Sequence, residues 1–218
     1  MKSTFKFSFY ILIVLTVVLE LTSCRDKPVN LSVARELVKE YYESGKFEEE
    51  LDEVIREAKV KFANVPVKNN SVVIFDVDET ALNNYELAKQ MGFGYVYQMN
   101  KDWNRLMKAP AIEGVKDLYD YLLDRGFKII FLTGRNFPEY EVTYKNLKKA
   151  GYKQFDTLIT QREDELNLNS TEFKSSKRIE LTEKGYNIVG TVGDQLSDLE
   201  GFDHGVQIRI PNYLYLIK

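Results

Sequence analysis

Two short acidic phrases hold most of the chemistry that these residues could do: Asp76-Val77-Asp78-Glu79-Thr80 and Gly193-Asp194-Gln195-Leu196-Ser197-Asp198. Each follows directly on an apolar run, 72–75 in the first case and 188–192 in the second. Between them come Thr133-Gly134-Arg135, which closes the run 129–132, and Lys174 at the polar start of a helical segment. Taken singly these are weak signals. An Asp after a strand commonly caps a helix, Thr-Gly makes a turn, and a lysine at a helix start is ordinarily solvated. Gathered at one place they mean more. Four carboxylates, those of Asp76, Asp78, Asp194 and Asp198, repel one another unless a cation holds them. Oxygen donors in that number suit a hard ion such as Mg2+ over a soft metal. A hydroxyl, backbone N–H groups at a helix start and a lysine are what a phosphate group needs.

The elements around these phrases explain how they meet. The runs 72–75, 129–132, 155–159 (a weaker one), 188–192 and 206–210 are short and largely apolar, as expected of strands buried on both faces. Helical patterns lie between them at about 112–125, 138–150 and 173–184. Strands alternating with helices of this length predict an α/β fold: a three-layer, doubly wound, mostly parallel sheet. Ligands of such sheets bind beyond the carboxyl ends of the strands, where all four phrases fall. Segment 81–110 fits no strand and is rich in aromatics (Tyr85, Phe93, Tyr95, Tyr97, Trp103), so it reads as a small helical cap inserted in the first crossover. Phe47, Leu51, Val54, Ile55, Ala58 and Phe62 recur at helical spacing. They predict an N-terminal helical extension over 31–62, divided at Gly45.

Composition removes several alternatives. One cysteine and one histidine in 218 residues exclude an internal disulfide, a Cys-rich zinc site, an iron–sulfur cluster and a multi-histidine centre. A net charge of −3, from 30 basic and 33 acidic residues, argues against nucleic acid as a partner. With 44% apolar residues the chain can bury a core.

The cysteine is Cys24, and its setting is informative. Lys2 and Lys6 precede an apolar stretch over 7–19 that is shorter than the roughly 20 residues a spanning helix needs. The layout is that of a secretory signal over 1–23, with a polar tether at 24–30 and one domain over 31–218. Leu21-Thr22-Ser23-Cys24 resembles the bacterial lipobox, although Glu20 puts a charge near the end of the apolar run. That resemblance implies lipidation of Cys24, export, and a lipid anchor to a membrane of the bacterial envelope.

The four phrases DVDET, FLTGR, FKSSKR and GDQLSDL, in this order, resemble the motifs of the haloacid dehalogenase (HAD) superfamily of phosphatases. Within it the chain is most similar to the acid phosphatases that include bacterial surface lipoprotein phosphatases of classes B and C and plant vegetative storage proteins. The likeness extends over about 70–215 and takes in Trp103 and Pro211-Asn212-Tyr213-Leu214-Tyr215. It implies hydrolysis of small-molecule phosphomonoesters, nucleotides among them, through an aspartyl-phosphate, strongest below neutral pH. It makes Asp76 the nucleophile and Asp78 the general acid and then base. Asp76, Asp78 (through its main-chain carbonyl), Asp194 and Asp198 become the Mg2+ ligands. Thr133, Gly134 and Lys174 bind the phosphoryl group, with Arg135 either an accessory phosphate contact or a surface loop residue. Lys174 is preferred to Lys177 because it matches the motif lysine, twenty residues before Asp194.

Tyr85, Tyr95, Tyr97 and Trp103 are read as cap packing rather than a stacking platform, and His204 as a turn residue. A non-catalytic binding or storage lipoprotein on the same fold, and phosphotransfer to an alcohol, compete with hydrolysis. Presence of both Asp76 and Asp78 argues against the first; the second passes through the same aspartyl-phosphate. The residues leave homo-oligomerisation open.

Overall fold

The structure is a computed structural model, and it describes residues 28–217. The signal reading over 1–23, Cys24 and most of the tether lie outside the described residues. Contacts divide the chain between Glu36 and Leu37, and the body that carries the acidic phrases begins at Leu37.

Five strands form a single sheet: β1 (Ser71–Phe75), β2 (Lys128–Asn136), β3 (Thr157–Gln161), β4 (Asn187–Gly193) and β5 (Val206–Arg209). Their order is β3-β2-β1-β4-β5, and every neighbouring pair is parallel. All five runs read from the sequence are therefore strands. Parallel neighbours require crossovers, and these are helical. After α1 (Leu31–Glu43) and α2 (Lys46–Ala63) come α3 (Tyr85–Gln90), α4 (Tyr97–Leu106), α5 (Glu113–Asp124), α6 (Tyr140–Lys149), α7 (Ser170–Glu183) and the short α8 (Leu196–Leu199).

Side chains alternate across the central strands, which splits the core in two. Val73 and Phe75 of β1, with Ile129 and Phe131 of β2, face α2, α5 and α6. Val72, Ile74, Ile130 and Leu132 face the other way, onto Phe173 and Leu181 of α7. The result is the expected three-layer sheet. The N-terminal extension is divided at Gly45, whose φ of +88° lies in the left-handed region that glycine occupies without strain. Its second helix is part of the main core: Phe47, Leu51, Ile55, Ala58 and Phe62 are all buried. Each large side chain of this stripe stabilises the fold by about 1.5–3 kcal/mol. Phe62 seats against Gly190 of β4, where a Cβ would lie 2.5 Å from its Cζ.

Two departures from regularity bear on the site. Strand β2 runs four residues past its apolar stretch, to Asn136. Leu132 pairs with Ile159 and Asn136 with Gln161, so Thr133-Gly134-Arg135 bulges out of the ladder at the carboxyl edge. Segment 81–110 holds α3 and α4 and no strand. Its ends meet, because Leu82 bridges to Ala111 and Asn83 N–H donates to Pro110 O at 2.9 Å.

Candidate active site

Three of the four strand-end phrases converge on Asp76. Its N–H continues the β1–β4 ladder by donating to Val192 O at 2.9 Å. Its Oδ1 accepts from Lys174 Nζ at 2.7 Å. The same ammonium donates to Asp198 Oδ1. One carboxylate oxygen from each of Asp76, Asp194 and Asp198 lies within 4.8 Å of the others, and all three residues are buried. Lys174 sits near the start of α7, whose N-cap Asn169 side chain accepts from Glu172 N–H at 2.9 Å. That cap fixes where the helix begins and so where Lys174 points. Lys177 lies one turn on and pairs with Glu165 and Glu180 instead.

The β4 loop is shaped by close approach. Gln195 N–H donates to Asp198 Oδ2 at 2.8 Å, closing a tight turn into α8. Gly193 is needed there: an added Cβ would overlap Asp198 Cβ, Cγ and Oδ2. Gly193→Ala is therefore expected to displace Asp198, abolish metal binding and lower the melting temperature. Retained metal affinity in calorimetry would count against this account of the turn. Arg178, fully buried on α7, donates to three main-chain carbonyls of the following stretch: Asp198 at 3.1 Å, Phe202 at 2.7 Å, and Glu200. It holds the loop after α8 through backbone carbonyls. Sequence reasoning passed over it, since its partners are backbone atoms.

Asp78 lies apart from this cluster. Arg135 grips it with both arms of its guanidinium, Nε to Oδ2 at 2.8 Å and Nη2 to Oδ1 at 2.5 Å. Arg135 Nη1 donates to Thr143 at 3.1 Å, so the group is buried and committed. This corrects the surface-loop alternative for Arg135. In this structure its fork holds Asp78 and is not an open phosphate contact. Asn84 Nδ2 adds a further donor to Asp78 Oδ1 at 2.7 Å, and Trp103 Nε1 orients that amide by donating to Asn84 Oδ1 at 2.9 Å. Thr133 Oγ1 accepts from Arg135 N–H at 3.2 Å within the β2 bulge, while Gly134 is exposed with open space around it.

The aromatic residues of 81–110 divide. Tyr85 is buried and stacks on Tyr42 at 4.9 Å between ring centres. Trp103 packs against the core. Tyr95 and Tyr97 are 70% and 60% exposed, so packing does not account for them. His204 Nδ1 lies 3.1 Å from Gly205 O in the turn before β5, as its context suggested.

Electrostatics separate the two aspartates of the β1 loop. Burial, reinforced by Asp198 and Asp194, holds the Asp76 carboxyl well above the ordinary range even though Lys174 pulls it down. Burial acts likewise on Asp78, but there the Arg135 charge and hydrogen bonds, with Asn84, more than offset it and the carboxyl is held low. Asp194 is pushed up to about 6 by burial and by Asp198. Asp76 and Asp198 share Lys174 while Asp194 lies beside them, and the excess of negative charge is what a hard divalent cation corrects. The donor set therefore fits such an ion: oxygen atoms only, on rigid strand ends, within reach of one another.

This geometry can be set against known proteins. A family model described as HAD superfamily, subfamily IIIB (acid phosphatase), matches residues 23–218. The stem 28 kDa glycoprotein of Glycine max is 35% identical over 190 residues, covering 84% of this chain and 74% of that protein. Acid phosphatase 1 of Solanum lycopersicum is 34% identical over 186 residues, covering 83% and 73%. Among solved structures, the class C acid phosphatase from Bacillus anthracis superposes with a TM-score of 0.68 over 85% of each chain, at 23% identity, a likeness of fold. The chain belongs to the HAD superfamily, subfamily IIIB, and is a phosphoric monoester hydrolase of the acid phosphatase kind.

Proposed function

We propose that the protein hydrolyses small phosphomonoesters, nucleotides among them, through a phosphoenzyme on Asp76. The reading is carried by one observation: a buried Asp76 bonded to Lys174 and facing Asp194 and Asp198. In the first half-reaction an Asp76 oxygen bonds to phosphorus as the bond from phosphorus to the ester oxygen breaks. Asp78 delivers a proton to the leaving oxygen. In the second, a water oxygen attacks the same phosphorus while Asp78 takes its proton. Asp76 returns as carboxylate and inorganic phosphate leaves. Splitting one hard displacement into two is the gain from a covalent carrier.

Lys174 neutralises charge on Asp76 and on the transferred group. Thr133, buried, and the exposed Gly134 backbone lie together at the β2 bulge, suited to phosphoryl oxygens. Asp78 must hold a proton for the first half-reaction, yet Arg135 and Asn84 hold it ionised. Exchange of the Arg135 fork from Asp78 to phosphoryl oxygens would free Asp78 to take up that proton, and this is the accessory phosphate role proposed for Arg135. The need for that proton places the activity maximum below neutral pH.

Asp76, Asp194, Asp198 and the Asp78 carbonyl would hold a divalent ion of the Mg2+ type, which when bound supplies charge neutralisation at the phosphoryl oxygens. Removal of divalent ions with a chelator is expected to lower hydrolysis of p-nitrophenyl phosphate by about 10²-fold or more, with recovery on adding Mg2+. Full activity after exhaustive chelation would sink the metal part of the reading. The cap role of 81–110, whose Tyr95 and Tyr97 are exposed, belongs to the same proposal.

Segment 1–24 supports export and anchoring to the bacterial envelope through Cys24, by its resemblance to a lipoprotein signal. No helix among the described residues is long and apolar enough to cross a membrane. Labelling of the full chain with a fatty-acid analogue, lost in Cys24→Ser, checks the anchor; equal labelling of both overturns it.

A further inference from the structure

Residues 211–217 follow β5 without regular structure, and their polar groups reach the loops that carry the acidic residues. Asn212 Nδ2 donates to Asp194 Oδ2 at 2.6 Å, and the amide is oriented by Leu214 N–H, which donates to Asn212 Oδ1 at 2.8 Å. The Tyr215 hydroxyl donates to Glu79 Oε2. Ile217 N–H donates to Gln195 Oε1 at 2.8 Å, and Gln195 Nε2 donates in turn to Asp194 Oδ2. One short segment thus ties the loop after β1 to the loop after β4. Its outer side is fastened as well. Tyr213 N–H donates to the Tyr42 hydroxyl at 3.3 Å, and the Tyr213 ring meets Tyr41 edge-on at 4.7 Å.

These contacts do more than tie down a loose stretch. Asp194 receives donors from Thr80 Oγ1 at 3.1 Å, from Gln195 and from Asn212, so its direction is set from three sides. Glu79 is buried with φ of +54°, a left-handed conformation that costs a non-glycine residue about 1–2 kcal/mol, and the bond to Tyr215 secures its side chain there. Loss of a group that orients a metal ligand typically costs about 10–100-fold in metal affinity.

We propose that residues 211–217 form a strap over the metal site, in which Asn212 and Tyr215 are positioning residues that hold Asp194 and the β1 loop for a divalent cation. The inference rests on the metal reading of the site. It is tested by calorimetric titration of Mg2+ into the metal-free full chain, beside thermal melting of the same samples. Asn212→Ala is expected to weaken Mg2+ binding about 10-fold or more, and Tyr215→Phe to weaken it by a smaller factor. Tyr213→Phe, which touches only the outer fastening, leaves it unchanged. The melting temperature of the metal-free variants moves little by comparison, and lost hydrolysis returns as Mg2+ is raised. Wild-type affinity in Asn212→Ala and Tyr215→Phe overturns the strap while leaving the metal reading intact. So does weakened binding matched by an equal loss of metal-free stability, since that is mere unfolding. Absence of Mg2+ binding in the wild type overturns the metal reading itself, and the strap with it.

Discussion

Asp76→Asn is expected to lower turnover of p-nitrophenyl phosphate by about 10⁴-fold or more, the scale seen when a covalent nucleophile is removed. The substitution keeps the shape of the side chain, and the amide oxygen can still accept from Lys174. What it removes is the charge and nucleophilicity of an oxygen that must bond to phosphorus. Stability should move the other way. Burial and two neighbouring carboxylates raise the Asp76 carboxyl well above its ordinary range in the metal-free protein. A raised carboxyl contributes stability that is complete below the unfolded pKa and is lost as pH rises through the folded one. At pH 7, above the unfolded pKa, the wild type without metal no longer has the full contribution, and the variant, whose amide does not titrate, loses nothing with pH. Its metal-free melting temperature should equal or exceed that of the wild type, while Lys174 keeps Asp198 as its partner. Comparable turnover in both proteins would refute the covalent route, and no turnover in either would favour a binding or storage role. A large drop in melting temperature would refute the electrostatic account.

Lys174→Met has the second largest expected effect, and it acts on both activity and stability. Its ammonium is buried and serves Asp76 and Asp198 at once, and those two charges hold it protonated against the penalty of burial. Removing one partner of a buried ion pair costs roughly 3–5 kcal/mol, because the remaining charges stay buried and uncompensated. Turnover should fall by about 10²–10³-fold, the range for loss of one preorganised cation or donor at the reacting centre. The stability loss should be larger at neutral than at acidic pH, since protonation relieves carboxylates that have lost their lysine. Added Mg2+ should stabilise the variant more than it does the wild type, by supplying the missing positive charge. Melting curves at two pH values, with and without Mg2+, check all three statements. A pH-independent loss would show that Lys174 acts by packing alone.

Both expectations depend on elements that short-range pattern in the chain already identifies. Runs of four or five apolar residues suit strands buried on both faces, and alternation with helices makes the sheet parallel and places their carboxyl ends on one edge. Asp76, Thr133 and Asp194 were therefore assigned to one edge by their position after such runs. Lys174 was separated from Lys177 by its likeness to a family motif, and the cap at Asn169 shows why the helix starts where Lys174 can reach inward. The extent of β2 was less legible, because Thr133-Gly134-Arg135 interrupts the ladder and pairing resumes only at Asn136.

Fold class, the edge at which chemistry occurs and the residue types gathered there were legible in the chain, since they follow from local period and from what stands after each strand. Which of those groups touch is a matter of the folded loops. The Arg135 grip on Asp78 joins residues 57 apart, and the bond from Tyr215 to Glu79 joins residues 136 apart. Asn84, Arg178 and Asn212 carry no periodic signal; Asn84 turns back on Asp78 six residues earlier, Arg178 meets backbone carbonyls and Asn212 a carboxylate after another strand. Such contacts depend on how loops from different strands pack at distances of a few ångströms. One chain's order of residues does not display that geometry until the sheet has brought its ends together.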